Sequence, residues 1–452
     1  MKRREFLTCS IQAAVGGASL SATLGQLSLV NAMVPPASDY RALVCVFLFG
    51  GNDSYNMVVP ASGLEYQAYA SARQTLAVAP EDLVPIAPLT TPGTFGFHPA
   101  APELANLFDI GRLAVVANVG ALVEPTTRTN FQSGAVALPQ QLFSHNDQQR
   151  YWQSLDTTAL RPTGWAGRMA DLLEGINGQA QLSMNITIAG SNLWQTGAAT
   201  IPYSISAGGV RALTGLDLEA NGAQDRRRAE AFHALLAGSP TSIFSQEFAA
   251  VQQRSIDLAN LVGDVVAQVP PLATQFPVGN SLAASLAMVA RLIAARDTLG
   301  MNRQTFFVSL GGWDTHGDQL GRHPTLISTL SQALNVFQQG LEELGVSDLV
   351  TTFTASDFGR TLTSNGDGSD HGWGGHQLVL GGAVNGREIY GTMPVIELDG
   401  PQDSGQGRII PTTAIDQMGA TIASWYGLGT SDLDEVFPNL KSFSIQDLGF
   451  MR

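Results

Sequence analysis

Apolar residues in this chain come in short unbroken runs rather than alternating with polar ones. Ala42–Phe49, Leu113–Val119, Met184–Ala189, Thr305–Leu310 and Leu349–Ala355, and less strongly Gln377–Leu380, are each bounded by glycines or polar turns. A strand covered on one face alternates, whereas one covered on both faces stays apolar throughout, so these runs read as interior strands of a parallel sheet. Between them the pattern changes to a helical period. Trp165–Leu173 is short, Leu282–Leu299 and Leu326–Leu344 are long and amphipathic, and Pro411–Trp425 has proline near its start and glycine just past its end. That asymmetry is expected of a helix. Strands alternating with helices predict an α/β fold with a mostly parallel sheet covered on both faces. Residues 190–275 break the rhythm with two helical patterns, Ala223–Ala237 and Thr241–Val269, joined by Gly-Ser-Pro. They predict a helical insertion placed to cap the sheet's functional edge.

Of the 452 residues, 44% are hydrophobic and only 14% charged, the profile of a globular chain with a large core. One α/β domain over residues 33–452 is expected. The first 32 residues stand apart: MKRREFLT carries Arg3-Arg4 and then Phe6-Leu7, a mild Gly/Ser/Ala-rich run follows, and Val30-Asn31-Ala32 offers a small-x-small cleavage site. This is the pattern of a twin-arginine export signal. The alternative is an uncleaved anchor, but the run is too rich in Gly, Ser and Thr to suit a membrane helix. The expected location is periplasmic or secreted, with the twin-arginine machinery as a partner and no stable membrane span after cleavage. Cleavage removes three basic residues and one acidic residue from a chain whose net charge is already −14. So acidic a surface argues against nucleic acid or anionic lipid as a partner. Cleavage also removes Cys9, leaving Cys45 alone within LVCVFLF, so no internal disulfide is expected and Cys45 reads as core.

In open parallel α/β sheets, ligands bind beyond the carboxyl ends of the strands, so polar residues just after strands matter most. Gly50-Gly51 ends the first strand and presents Asn52, Asp53 and Ser54. Glycine lets backbone approach a ligand, and Asp53 offers a hard oxygen donor, although the same residues also make an ordinary turn. GGWDTHGD places Asp314 and His316 two residues apart, on the same side of an extended loop. TASDFGR supplies Asp357 and Arg360, and GSDHGWGGHQ supplies Asp370, His371 and His376. Asp with neutral imidazole is a donor set for zinc, manganese or iron, and a buried Asp357 would need a metal or Arg360 as partner. In LFSHNDQQRYWQS, Ser144 reads as a helix N-cap with Asp147 in the capping-box position. Alternatively its hydroxyl is a nucleophile at the positive end of the helix, with His145 as ligand or acid/base. Arg150 and Arg360, with Asn52, are the expected substrate-binding groups. His98 and His323, each beside a proline, read as structural.

Taken in order, the export signal, FLFGGNDSYN, FGFHPA, LFSHNDQQRYWQS, TGWAGR, GGWDTHGDQ, TASDFGRT and SDHGWGGHQ resemble the bacterial family called domain of unknown function 1501. That family is grouped with the alkaline phosphatase and sulfatase superfamily. The resemblance implies an alkaline-phosphatase-like three-layer α/β sandwich and a metal-dependent hydrolase of phosphate or sulfate esters, small or polymeric. It implies a divalent metal ion (zinc, manganese or calcium), the number left open. Carried over by motif, Asp53 is the first-strand metal aspartate and Ser144 stands at the nucleophile position. Asp314 and His316 are the central metal pair, Asp357 the later aspartate and His376 the last histidine. The chain departs from the superfamily pattern in three places. Asp357-Phe358 stands where alkaline phosphatases have Asp-His, the Asp314-to-His316 spacing is tighter than Asp-x-x-x-His, and there is no Cys-x-Pro-x-Arg sulfatase signature. His371 or His145 is available to fill a gap. The missing tandem histidine favours a first rival, a non-catalytic metal-binding or assembly protein that keeps the fold; a second, a redox metalloprotein, also suits export but has no cofactor motif here beyond mixed His/Asp ligands.

Overall fold

The computed structural model describes residues 40–157, 162–178, 180–210, 215–216, 218–238 and 242–452. The expected export signal, residues 1–32, lies outside them. In chain order the strands are β1 Arg41–Phe49, β2 Val58–Pro60, β3 Val84–Ile86, β4 Phe95–Phe97, β5 Leu113–Gly120, β6 Asn185–Thr187, β7 Tyr203–Ser204, β8 Arg303–Gly311, β9 Val350–Ser356, β10 Arg360–Ser364, β11 Ser369–His371, β12 Gly375–Leu380, β13 Ile389–Tyr390 and β14 Thr413–Ala414. Nine of them form one sheet in the order β13-β5-β12-β9-β1-β8-β6-β7, with β14 also beside β5.

β1 is central and parallel to β8 and β9 on its two sides. Its residues divide by face. Ala42, Val44, Val46 and Leu48 join one core with the helices Ser281–Ala294 and Gln319–Glu343. Leu43, Cys45 and Phe47 join the other with the helices Trp165–Leu172 and Ile415–Tyr426. Each large apolar side chain so buried contributes about 1.5–3 kcal/mol. Burial on both faces is why the strand is apolar without alternation, and it makes a three-layer α/β sandwich.

β12 differs from its expected direction, running antiparallel to both β5 and β9. A parallel return needs a crossover of a dozen or more residues, usually a helix. Residues 357–374 instead hold the hairpin β10–β11, so the chain re-enters the sheet reversed. That hairpin pairs Arg360 with His371 and Ser364 with Ser369.

Three local expectations are corrected. The helix Gln319–Glu343 takes in His323 and Pro324, ahead of Leu326, where the pattern starts it. Its first residue is anchored, with Gln319 N donating to Asp367 O at 3.1 Å and Ser369 Oγ donating to Gln319 Oε1 at 2.5 Å. The last long helix begins at Ile415, several residues after Pro411, and Gln417 caps it by accepting from Ala414 N at 2.8 Å. Ser144 is the N-cap of the helix His145–Ser154 but makes no side-chain capping bond, so the box with Asp147 does not form.

Within 190–275, β7 extends the sheet beside β6, and the helices Ala223–Ala237 and Ile243–Gln268 follow. Val262, Val265 and Val266 of the second helix reach the first core. Among the described residues no helix is long and apolar enough to cross a membrane.

Candidate metal centre

Four segments meet beyond the carboxyl ends of β1, β8 and β9. Asp314 and His316 follow β8, Asp357 follows β9, Asp370 and His371 close the β10–β11 hairpin, and His145 opens the helix His145–Ser154. Their approach depends on Gly50 at the end of β1. Its φ is +120°, and a Cβ there would overlap the backbone nitrogen of Asp314, so only glycine lets these loops close up.

The three imidazoles share one arrangement. Each Nδ1 is bonded to an oxygen: His145 to Asp357 Oδ2 at 2.6 Å, His371 to the Phe143 carbonyl at 2.7 Å, and His316 to Asp370 Oδ1 at 2.9 Å. An acceptor on Nδ1 places the proton there and leaves the Nε2 lone pair free. Those Nε2 atoms gather at Asp314. His145 Nε2 lies 3.6 Å from Asp314 Oδ2, while His316 and His371 Nε2 lie 3.2 and 3.6 Å from Oδ1. One donor atom each from His145, Asp314 and His371 falls within 4.8 Å of the others. His316 and His371 Nε2 are 2.8 Å apart, an arrangement two lone pairs do not tolerate without a proton or a cation between them. Donors sharing one ion at about 2.1 Å stand roughly 3–3.4 Å from each other, so the donor set and its spacing fit a small divalent ion.

Electrostatics follow the same contacts. Its hydrogen bond to Asp357 raises the pKa of His145 against the opposing effect of partial burial. Burial lowers that of His371. Partial burial pushes Asp314 upward, but the hydrogen bond and charge of Arg360 bring its carboxyl net below the usual range. Asp357 is fully buried; its Oδ2 also accepts from Gln149 Nε2 at 2.8 Å, and its Oδ1 has no hydrogen-bond partner.

Several expected site residues are engaged elsewhere. Asp53 is buried against the guanidinium of Arg73 and the amide of Gln319, so its charge is met by arginine rather than by the histidine cluster. His376 is also buried away from it. Its Nδ1 accepts from Asn118 N at 3.1 Å, and its ring packs edge-on against Tyr55. Asn52 turns inward to His323 Nε2 at 3.2 Å and Met57 Sδ at 3.7 Å. Arg360 is fully buried, its donors bound to Asp314 Oδ1 at 2.7 Å, Gly50 O at 3.2 Å and Ser369. It therefore holds a cluster residue rather than facing solvent. Arg150 pairs with Asp156 at 3.6 Å. His98 and His323 are buried, as expected of structural histidines, with burial lowering each pKa to about 4.

Gln149 was not anticipated from the sequence, although one signal was available. His145 and Gln149 are four apart on one helix and so share a face. Arg73 had no such signal, since its role depends on the helix Gly63–Arg73 packing against β2 and β10. A cavity of about 860 Å³ is lined by Arg128, Glu397, Asp399, Gln402 and Phe443 among others; it includes none of His145, Asp314 or His371.

Solved structures similar to this chain include the lipoteichoic acid synthase LtaP of Listeria monocytogenes (9% identity, 88% of this chain and 74% of that one, TM-score 0.33). The soluble domain of lipooligosaccharide phosphoethanolamine transferase A of Neisseria meningitidis is similar at 9% identity over 89% of this chain and 93% of that one, TM-score 0.34. The PsFucS1 sulfatase of Pseudoalteromonas sp. is similar at 10% identity over 95% and 76%, TM-score 0.33. No curated protein matches the chain. Residues 40–428 match the family described as protein of unknown function DUF1501, and the chain belongs to that family.

Proposed function

We propose that this chain is an exported, metal-dependent hydrolase of phosphate or sulfate esters, with one divalent cation held by His145, Asp314 and His371 and with His316 as a further donor. The observation supporting this most strongly is the 2.8 Å approach of His316 and His371 Nε2 while every Nδ1 in the cluster is committed to an oxygen. Three nitrogens and a carboxylate suit zinc or manganese better than calcium, which prefers oxygen. When bound, such an ion supplies positive charge against the ester's oxygens and acidifies a neighbouring hydroxyl.

The chain's own residues have separate tasks. Asp357 and Gln149 fix the His145 ring, the Phe143 carbonyl fixes His371, Asp370 fixes His316, and Arg360 fixes Asp314. Supporting contacts of this kind hold ligands in orientation and tune their basicity. Ser144 lies between Phe143 and His145 at a helix N-terminus, where backbone N–H groups favour an anion. Its hydroxyl makes no capping bond, which leaves it available as the nucleophile, with water as the alternative.

The test is metal analysis of the purified mature chain, followed by assay on simple aryl phosphate and sulfate monoesters. About one zinc or manganese per chain is expected, retained by wild type and lost by Asp314→Asn. Wild-type protein that holds no metal after exposure to both ions would overturn the reading. Ser144→Ala should abolish a covalent intermediate, and full activity in that variant moves the attack to water. Capture of Asp53 by Arg73 favours a second reading, an exported metal-binding protein without turnover; metal retention with no hydrolysis of either ester selects it.

A further inference from the structure

A hydrolase of anionic esters needs positive charge beside its metal, yet this cluster holds Asp314, Asp357 and Asp370 in a chain of net charge −14. The arginines around it are largely committed. Arg360 is buried and bonded to Asp314, Arg322 donates from both terminal nitrogens to the carbonyls of Asp314 and Gly312, and Arg150 pairs with Asp156. Arg408 is different. Its Nε donates to the backbone oxygen of His371 at 3.0 Å, and its guanidinium lies over the Phe143 ring, 4.3 Å from the centroid. The Phe143 carbonyl is the acceptor for His371 Nδ1, so Arg408 rests on the backbone of that ligand and on the residue that fixes its ring. Its two terminal nitrogens have no hydrogen-bond partner among the described residues.

The backbone holding Arg408 is closely constrained. Gly405, Gln406 and Gly407 all have positive φ, at 126°, 62° and 72°. Gln406 incurs a cost of about 1–2 kcal/mol in that conformation. The turn is held by Gly405 N donating to Asp403 Oδ1 at 2.8 Å, by Ser404 Oγ donating to Arg408 O at 2.9 Å, and by Leu362 N donating to Gly407 O at 2.8 Å. Backbone strain kept in place by so many bonds is characteristic of positions that present a functional group.

We propose that Arg408 is the positioning residue for the substrate's tetrahedral oxyanion, its free guanidinium edge taking one or two oxygens of the phosphate or sulfate group. The planar fork suits that geometry, and stacking on Phe143 fixes its plane before substrate arrives. This inference rests on the ester-hydrolase reading, and its test separates the two.

The experiment uses the metal-loaded mature protein. Phenylglyoxal modification of Arg408, followed by peptide mass spectrometry, is compared in inorganic phosphate, in sulfate and in chloride at equal ionic strength. Phosphate or sulfate should slow modification of Arg408 about tenfold or more while leaving Arg254, exposed on the helix Ile243–Gln268, unaffected. Whichever anion protects names the ester class. Arg408→Met should keep its metal and bind that anion about 10- to 100-fold more weakly by calorimetry, with Arg408→Lys intermediate. Wild type that binds phosphate or sulfate with no protection of Arg408 overturns the assignment alone. Wild type that binds neither anion overturns the hydrolase reading and this inference with it. Should Arg408→Met lose metal by releasing His371, the labelling result on the unaltered chain still decides.

Discussion

Asp357→Asn is the most informative single change at the cluster. In the wild-type protein, Asp357 Oδ2 receives both His145 Nδ1 at 2.6 Å and Gln149 Nε2 at 2.8 Å, while Oδ1 receives nothing. Asparagine is the same size, and its carbonyl can sit at the Oδ2 position and keep both bonds. What disappears is the negative charge beside the imidazole. Replacing a charge-assisted bond by a neutral one costs about 1–2 kcal/mol, and loss of such a support around a metal ligand weakens binding about 10- to 100-fold, or roughly 1.4–2.7 kcal/mol. The fold should barely respond, because a buried carboxylate oxygen without a donor is itself unfavourable. Zinc affinity measured by competition with a chromogenic chelator should therefore fall while the melting temperature of metal-free protein stays within a few degrees. In a His145→Ala background the same substitution should add little, since it acts through that ring. Unchanged zinc affinity in Asp357→Asn would refute the claim that Asp357 supports a ligand, and an additive loss in the double variant would refute the route through His145.

Two further outcomes are expected. Arg73→Met leaves the fully buried Asp53 without a counter-charge, held only by the Gln319 amide, so urea denaturation should show a loss of about 3–5 kcal/mol, largely restored by combining it with Asp53→Leu; equal stability of the single and double variants would contradict this. Burial raises the pKa of Asp416 to about 7, against hydrogen bonds from Asn439 that work to lower it. The unfolded chain releases this proton near pH 4 and the native one near 7, so the group stabilises the fold at low pH and loses that contribution across the interval. Asp416→Asn should gain up to about 4 kcal/mol on wild type between pH 4 and 8, and parallel pH profiles would exclude it.

The interior strands were legible because burial on both faces leaves an unbroken apolar run, and β1, β8 and β9 follow that rule. The direction of β12 was not, since its run looks the same in either orientation and depends on what connects it. β13 and β14, at two residues each, are too short to carry a pattern. At the cluster, position after a strand was enough to single out Asp314, His316 and Asp357. Partners distant in sequence were harder: the bond from His145 to Asp357 spans 212 residues, and nothing local foretells it. Asp53 shows the reverse. Its place after β1 suited a ligand, but the side chain that meets it belongs to the helix Gly63–Arg73, whose packing the chain pattern does not disclose.

The hairpin β10–β11 sets Arg360 opposite His371 on one rung, using a five-residue strand against a three-residue one. The clamp on Asp314 and the imidazole beside it therefore depend on the same few backbone bonds. Fraying of that ribbon detaches both together, so thermal or chaotropic stress should empty the centre abruptly, well before the main sheet opens, instead of eroding affinity by degrees.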